Sequence, residues 1–204
     1  MGSTLALAYA ERHSERVTAM VLNSVATTTA SEIDWITRGV GMFFPEAWVR
    51  FRDCVPEGEQ NGNLVEAYHR LLMHPDQAVH EKAARDWCDW EMAIVAIHPD
   101  HKPNPRYEQA AFRLAFARLV THYWRHMAWL DDDCLVREAV RLASVPGVLI
   151  HGRLDMGTPL VTPWRLKQHW PGSELVVLGK AGHDARDPGM HESIVAATDR
   201  LARI

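Results

Sequence analysis

Two short apolar segments near the end of the chain alternate with helical segments, and this alternation constrains the fold more than any other feature. Residues 146–150 and 174–178 are rich in Val, Leu and Ile and too short for helices, as buried strands are. Helices are predicted after them, at 162–170 and at 190–203. Strands that alternate with helices form a parallel sheet with right-handed crossovers, so the sequence predicts an α/β fold.

The start of the chain fits the same sheet, whereas its middle does not. Residues 2–10 are good helix formers, and the apolar, partly β-branched residues 17–22 predict a buried strand. The middle has apolar residues at helical spacing, and its prolines, at His98-Pro99 and across 102–105, predict breaks between helices. We therefore predict three parts: a core segment at 1–30, a helical insert at 31–142 and a second core segment at 143–204.

Composition excludes several classes of protein. The 204 residues carry 22 Lys and Arg against 26 Asp and Glu, a net charge of −4, which argues against a nucleic-acid binder. No apolar run reaches the roughly 20 residues that a membrane helix needs, and no basic residues precede the apolar start as in a signal peptide. Cys54, Cys88 and Cys134 form no CxxC pair and are odd in number, so we expect reduced thiols in a cytoplasmic protein.

An acidic and a basic side chain follow the two predicted strands of the last segment. Asp155 comes after the strand at 146–150, and His183 comes 28 residues later, after the strand at 174–178. The carboxyl ends of parallel strands meet at one edge of a sheet, where ligands and reacting groups lie. A carboxylate that orients a histidine is part of the acyl-transfer triad, and acid before histidine is the chain order of α/β-hydrolases. Spacing alone leaves open that Asp155 closes a turn and that His183 is an ordinary loop residue.

The residues around these positions resemble one family, the proline iminopeptidases, which are serine hydrolases of the α/β-hydrolase superfamily. The Asp and His motifs mark the superfamily, and the residues of the insert point to the particular family. The resemblance implies a partial α/β-hydrolase fold with a helical cap domain at 31–142. It rests on segments 2–10, 151–155, 164–166, 170–171 and 181–183, and within the insert on 31–35, 44–45, 67–69, 87–91, 116–118 and 122–123.

The nucleophilic serine of that family has no counterpart in this sequence. In the family the last glycine of a G-x-S-x-G elbow begins a run like Gly2-Ser3-Thr4. Alignment on this run makes Gly2 the last glycine of the elbow and Met1 the residue after the serine. The resemblance thus implies that the chain is the carboxyl-terminal part of a longer enzyme, inactive alone, with the Met1 backbone at one oxyanion position. Ser3 is a poor substitute nucleophile because the elbow needs glycines two residues on either side, and Met1 and Leu5 stand there.

The resemblance also implies a substrate site in the cap. In the family a glutamate within a Trp-x-x-Trp-Glu segment receives the free amino group of a peptide or small amide, and the matching residues are Trp87, Trp90 and Glu91. An ammonium buried under a lid needs a nearby carboxylate. By spacing alone, the tryptophans would be cap core and Glu91 a solvated charge. A second cap glutamate of many relatives is replaced by Val120, which weakens the case for proline as the preferred residue.

Other interpretations remain open at this stage. The chain could derive from an esterase or an epoxide hydrolase, or it could be a non-catalytic binding fragment that associates through the edge of the strand at 17–22. His122 and His126 share a helix face as metal ligands do, but no third ligand is evident. The family's acyl-enzyme chemistry requires no metal and no organic cofactor.

Overall fold

The computed structural model describes residues 1–95, 97 and 101–203, so the predicted break at His98-Pro99 lies outside the described residues. The chain forms two compact units, one of residues 1–32 with 131–204 and the other of residues 33–130. In chain order the helices are α1 (Gly2–Arg12), α2 (Ala30–Thr37), α3 (Pro45–Asp53), α4 (Leu64–Leu72), α5 (Gln77–Val95), α6 (Ala110–Arg125), α7 (Cys134–Arg137), α8 (Val161–His169) and α9 (Met190–Leu201).

The first unit contains a parallel sheet, which confirms the predicted fold class. Its described strands are β1 (Met20–Asn23), β2 (Gly147–Gly152) and β3 (Ser173–Leu178), hydrogen-bonded in the order β1-β2-β3. Val21 pairs with Val148, and Leu149 pairs with Leu175. The first strand begins at Met20, three residues later than predicted, because residues 17–19 link the short 3₁₀ helix at Ser14–Arg16 to the strand and do not pair with β2.

The central strand forms the core of the first unit. Every residue of β2 is buried, as expected for a strand with neighbours on both sides and helices over its faces. Val148 and Ile150 pack with Met190 and Ala197 of α9 and with Ala181 from the loop after β3. The same packing holds Ala181, in the loop that follows β3, against the central strand.

The regular secondary structure of the second unit is helical, with no strand among its described residues. An aromatic cluster forms its centre: Phe51 stacks on Tyr68 with ring centroids 4.6 Å apart, and both contact Trp87 edge-on. The Tyr68 hydroxyl donates a hydrogen bond of 2.6 Å to the Phe51 carbonyl. Four helices, α3 to α6, supply this core.

The boundary of the insert differs from the predicted one. Residues 131–142 belong to the first unit, where α7 and the 3₁₀ helix at Glu138–Leu142 pack against α1. The predicted insert ended later because 131–142 is helical like the residues before it. Within the described part of the chain, no helix has the length and apolarity needed to cross a membrane.

Candidate active site

Two loops at the carboxyl end of the sheet approach each other closely. The first follows β2 at Gly152, and the second follows β3 and contains Ala181 and Gly182. A Cβ atom at position 152 would lie only 2.1 Å from the Gly182 carbonyl oxygen, so glycine is required there. The Leu154 N–H donates to the Ala181 carbonyl at 3.0 Å. These contacts set the separation of the two side chains that follow, Asp155 and His183.

The structure brings Asp155 and His183 together. The His183 Nδ1 atom lies 2.9 Å from Oδ2 of Asp155, a hydrogen-bond distance. The Asp155 side chain is fully buried, whereas 37% of the His183 side chain is exposed. Since a carboxylate accepts, Nδ1 carries the proton and Nε2 carries the ring's lone pair when His183 is neutral. The arrangement can orient an imidazole for proton transfer at Nε2.

The surroundings of Asp155 favour its ionised form. Burial raises the pKa of this carboxyl, but the positive charge and hydrogen bond of His183, the nearby His151 and the Thr158 amide together outweigh burial. The pKa of Asp155 is therefore lowered from its usual value. A buried carboxylate that stays ionised is suited to stabilising an imidazolium beside it.

Thr158 is a site residue that sequence reasoning missed. Its backbone N–H donates to Oδ1 of Asp155 at 2.8 Å, and its hydroxyl donates to Oδ2 at 2.7 Å. The hydroxyl oxygen lies 3.4 Å from Nδ1 of His183. Both carboxylate oxygens of Asp155 are thus held by one residue in the turn that follows it. The only sequence signal was a threonine three residues after an acidic side chain.

His151 is a second missed residue, and it lies fully buried at the end of β2. The Val25 N–H donates to its Nδ1 at 3.2 Å, so Nε2 carries the proton and donates to the Thr158 carbonyl at 2.7 Å. Burial lowers the pKa of His151, although the nearby Asp155 carboxylate opposes this effect. The ring is therefore neutral, and it links the loop after β1 to the turn that holds Asp155.

Two further polar side chains fix the loop that carries His183. The Ser24 hydroxyl donates to the His183 carbonyl at 2.8 Å, and Ser24 adopts a left-handed φ of 46°. Asp187, with 6% of its surface exposed, accepts a hydrogen bond of 2.7 Å from the Gly182 N–H. Neither residue stood out in the sequence, because both act through backbone atoms of a loop whose shape only the fold reveals.

The start of the chain holds the two residues considered for the nucleophile region. Met1 lies at the N-terminal end of α1, where its carbonyl accepts from the Leu5 N–H at 3.1 Å. The Ser3 hydroxyl donates to the Ala26 carbonyl at 3.0 Å and accepts from the Ala26 N–H at 2.9 Å. Ser3 thus joins α1 to the loop after β1.

The predicted substrate residues lie together in the second unit, but the two tryptophans are buried there. Only 1% of Trp87 and 2% of Trp90 are exposed, and the Trp90 Nε1–H donates to the Ile36 carbonyl at 2.9 Å. The Trp87 Nε1–H donates to Oε1 of Glu91 at 2.6 Å. The half-buried Glu91 is thus oriented by an indole of the unit's core. Val120, on α6, is buried.

Comparison with known proteins places this arrangement in a family. The family model described as the alpha/beta hydrolase fold matches residues 1–187, which include Asp155 and His183. The chain belongs to the alpha/beta hydrolase fold family. The crystal structure of an alpha/beta hydrolase from a Medee basin deep-sea metagenome library, 19% identical, superimposes with a TM-score of 0.50 over 98% of this chain and 60% of that one.

Curated relatives of this alpha/beta hydrolase carry a more specific name. The chain is 46% identical to a probable proline iminopeptidase of Streptomyces coelicolor, over 99% of its own length and 63% of the relative's. It is 35% identical to the proline iminopeptidase of Arabidopsis thaliana, over 98% of its own length and 53% of the relative's. The chain therefore spans between about half and two thirds of the length of these relatives.

The second unit of this alpha/beta hydrolase contains two neighbouring histidines, His122 and His126. The rings of His122 and His126 have centroids 5.5 Å apart, and both contact Trp129. Among the residues that the structure describes, no group of three or more His, Cys, Asp or Glu side chains is arranged to hold a metal ion. The two histidines are part of an aromatic cluster at the end of α6.

Proposed function

We propose that this chain is the acid–base and cap part of a serine aminopeptidase that releases proline, or a similar residue, from the amino terminus of peptides. The observation that carries the proposal is the 2.9 Å contact between Nδ1 of His183 and Oδ2 of Asp155. The names of the curated relatives, proline iminopeptidases at 35–46% identity, support the substrate class.

In the proposed reaction His183 transfers protons and Asp155 acts through it. The Nε2 atom takes the proton of the serine hydroxyl as that oxygen attacks the scissile carbonyl, and then returns a proton to the leaving amine. The Asp155 carboxylate holds Nδ1–H and stabilises the imidazolium that forms between these steps. Water then hydrolyses the acyl-enzyme by the same route, and the scheme requires no metal or organic cofactor.

The serine itself is proposed to lie just before Met1 in a longer polypeptide, as the family resemblance of residues 2–10 implies. The backbone N–H of residue 1 would then help to bind the oxyanion. The chain alone is expected to be inactive, because Ser3 has no flanking glycines and its hydroxyl is bonded to Ala26. The exposed side of β1 would pair with a preceding strand, and without one it is expected to promote self-association.

Glu91 is proposed to receive the free amino group of the substrate. Its carboxylate accepts from the Trp87 Nε1–H, which limits the orientations that Glu91 can adopt. Trp87 and Trp90 would act by supporting Glu91 from the core. Because Val120 replaces a second carboxylate, we expect the enzyme to accept amino-terminal residues other than proline. Cys54, Cys88 and Cys134 form no disulfide, consistent with a proposed cytoplasmic location.

Kinetic assay of an extended enzyme tests this function. The coding sequence is extended upstream of Met1 to include the proposed serine elbow, and hydrolysis of L-proline amides is measured. His183→Ala should lower kcat by a factor on the order of 10⁶, as for the histidine of subtilisin, and Asp155→Asn by about 10⁴. The exposed His169 and Asp199 give matched controls, His169→Ala and Asp199→Asn, which should retain full activity.

Several outcomes would reject the proposal. Full activity in His183→Ala or Asp155→Asn would exclude the proton-transfer roles. Equal rates for substrates with free and acetylated amino termini, or unchanged rates in Glu91→Gln, would exclude the ammonium site. Preferential hydrolysis of simple esters or epoxides in the same panel would assign the chain to another alpha/beta hydrolase reaction.

A further inference from the structure

We propose that Thr158 is a positioning residue for the Asp155–His183 pair, since its hydroxyl and its backbone N–H hold the two carboxylate oxygens of Asp155 so that Oδ2 faces Nδ1 of His183. The inference deepens the proposed function and rests on it for its role in turnover. The geometry on which it depends, however, is a property of the folded chain and is measurable without any activity.

The carboxylate of Asp155 is oriented by two hydrogen bonds from Thr158 in addition to the one from His183. It is fully buried, and an aspartate carboxylate can rotate about its Cβ–Cγ bond, the χ2 angle. The Thr158 N–H at 2.8 Å fixes Oδ1, and the Thr158 hydroxyl at 2.7 Å fixes Oδ2. Rotation of the carboxylate out of this plane would weaken both bonds at once, so the plane in which an oxygen faces His183 is fixed.

Thr158 is itself held in place by a hydrogen bond to its backbone carbonyl. Its carbonyl accepts the Nε2–H of the buried His151 at 2.7 Å, and His151 is anchored through Nδ1 to the Val25 N–H. The His151 ring also lies 3.6 Å from Oδ2 of Asp155, beyond hydrogen-bond range. The turn from Asp155 to Thr158 is thus fastened to the loop after β1, which makes Thr158 a fixed donor.

The Thr158 hydroxyl donates its proton to Asp155 and not to His183. It has one proton, and the 2.7 Å distance to Oδ2 of Asp155 is shorter than the 3.4 Å distance to Nδ1 of His183. Because Nδ1 itself donates to Asp155, both donors converge on Oδ2. Two donors on one oxygen stabilise its negative charge, and loss of the hydroxyl should make Asp155 easier to protonate.

The titration of Asp155 in the chain as it exists tests this inference. The carboxyl ¹³C resonance of Asp155 is followed against pH in the wild type and in Thr158→Val, Thr158→Ala and Thr158→Ser. The groups that face Asp155 are His183, His151 and Thr158, so the His151 and His183 ring resonances are recorded in parallel. Thr198→Val serves as the matched control, because the exposed Thr198 hydroxyl donates only to Ile194 in its own helix.

We expect Thr158→Val and Thr158→Ala to raise the Asp155 midpoint by about one pH unit or more, the effect of one lost hydrogen bond to a charged group. Thr158→Ser should return it to within a few tenths of the wild-type value, and Thr198→Val should leave it unchanged. Both the Val and the Ala variant are measured, so that the test still holds if one of them does not fold. The inference would be overturned if Asp155 kept its wild-type midpoint in the folded Val and Ala variants. It would also be overturned if the Ser variant shifted the midpoint as much as the Val and Ala variants do.

The extended enzyme provides an independent readout. Thr158→Val should lower kcat for L-proline amides about tenfold or more with KM little changed, and Thr158→Ser should restore it. Failure of the proposed function is distinguishable from failure of this inference. If Asp155→Asn retains full activity while the midpoint still shifts in Thr158→Val, the positioning stands and the reaction is misassigned.

Discussion

The Nδ1 atom of His183 lies 2.9 Å from Oδ2 of Asp155, although the two residues are 28 positions apart in the chain, with the whole of α8 and β3 between them. Parallel pairing of β2 with β3 brings the carboxyl ends of the two strands together, and the side chains in the following loops meet there. The contact joins a fully buried carboxylate to an imidazole that is one third exposed, and therefore links the sheet's core to solvent.

Replacement of Asp155 by Asn should reduce stability in a pH-dependent way. The folded pKa of Asp155 lies below its unfolded value, so ionised Asp155 contributes stability above about pH 4, and this is lost as the pH falls through the lower folded value. We expect Asp155→Asn to lower the free energy of unfolding by about 2 kcal/mol at pH 7 and by progressively less below pH 4. Urea denaturation across this range measures the difference, and a loss equal at pH 3 and pH 7 would contradict it.

Glu11 should show the opposite dependence on pH. Burial and repulsion by Glu138 raise its pKa to about 8, against the opposing charges of Arg141 and Arg12, and its Oε1 accepts no hydrogen bond within the described structure. A raised folded pKa stabilises the protein at low pH, and the contribution is lost as the pH rises from about 4.5 through 8.

The substitution Glu11→Gln should therefore stabilise the protein at high pH. The difference in free energy of unfolding between Glu11→Gln and the wild type should be about 2 kcal/mol more in favour of the variant at pH 9 than at pH 5. Thermal or urea unfolding at both pH values gives this quantity. The control is Glu15→Gln, four residues further along the chain at an exposed position, which should show no such change. The account is wrong if the two variants behave alike.

The predicted and observed sites differ in an instructive way. The proximity of Asp155 and His183 was predictable because strand and helix patterns locate the carboxyl ends of parallel strands, where the loops that follow them meet. Thr158 and His151 were not, since their roles depend on hydrogen bonds set by the exact shape of a turn. Trp87 and Trp90 share a helix with Glu91 as expected. Spacing along a helix does not distinguish an indole buried in the core from one that contacts a substrate, and the structure buries both indoles.

The thiol of Cys88 should react very slowly in the folded protein. Burial and the nearby Glu91 raise its pKa to about 12, and only 1% of the residue is exposed. At pH 8 its thiolate population is then on the order of 10³-fold below that of an unfolded cysteine. Alkylation by iodoacetamide, quantified by mass spectrometry, should be slower by at least this factor than in guanidinium chloride. Comparable rates in the two conditions would show that the thiol is not enclosed as described.

The hydrogen bond between Trp87 and Glu91 should appear as a coupling energy. Trp87→Phe retains a ring against Phe51 and Tyr68 but removes the N–H that donates to Glu91 at 2.6 Å. We expect a loss of about 1–2 kcal/mol in the free energy of unfolding. In a double-mutant cycle with Glu91→Ala, the double variant should lose about 1 kcal/mol less free energy of unfolding than the sum of the two single losses. Strict additivity would mean that the two side chains do not interact in solution.

The most direct test of the central claim is the tautomer of His183, read from ¹H–¹⁵N correlation spectra of the imidazole in this chain. The account predicts a neutral ring protonated at Nδ1, with that proton lost or redistributed to Nε2 in Asp155→Asn and unchanged in Asp199→Asn. A wild-type ring protonated mainly at Nε2, or a spectrum that does not respond to Asp155→Asn, would contradict the claim that Asp155 orients His183 for proton transfer.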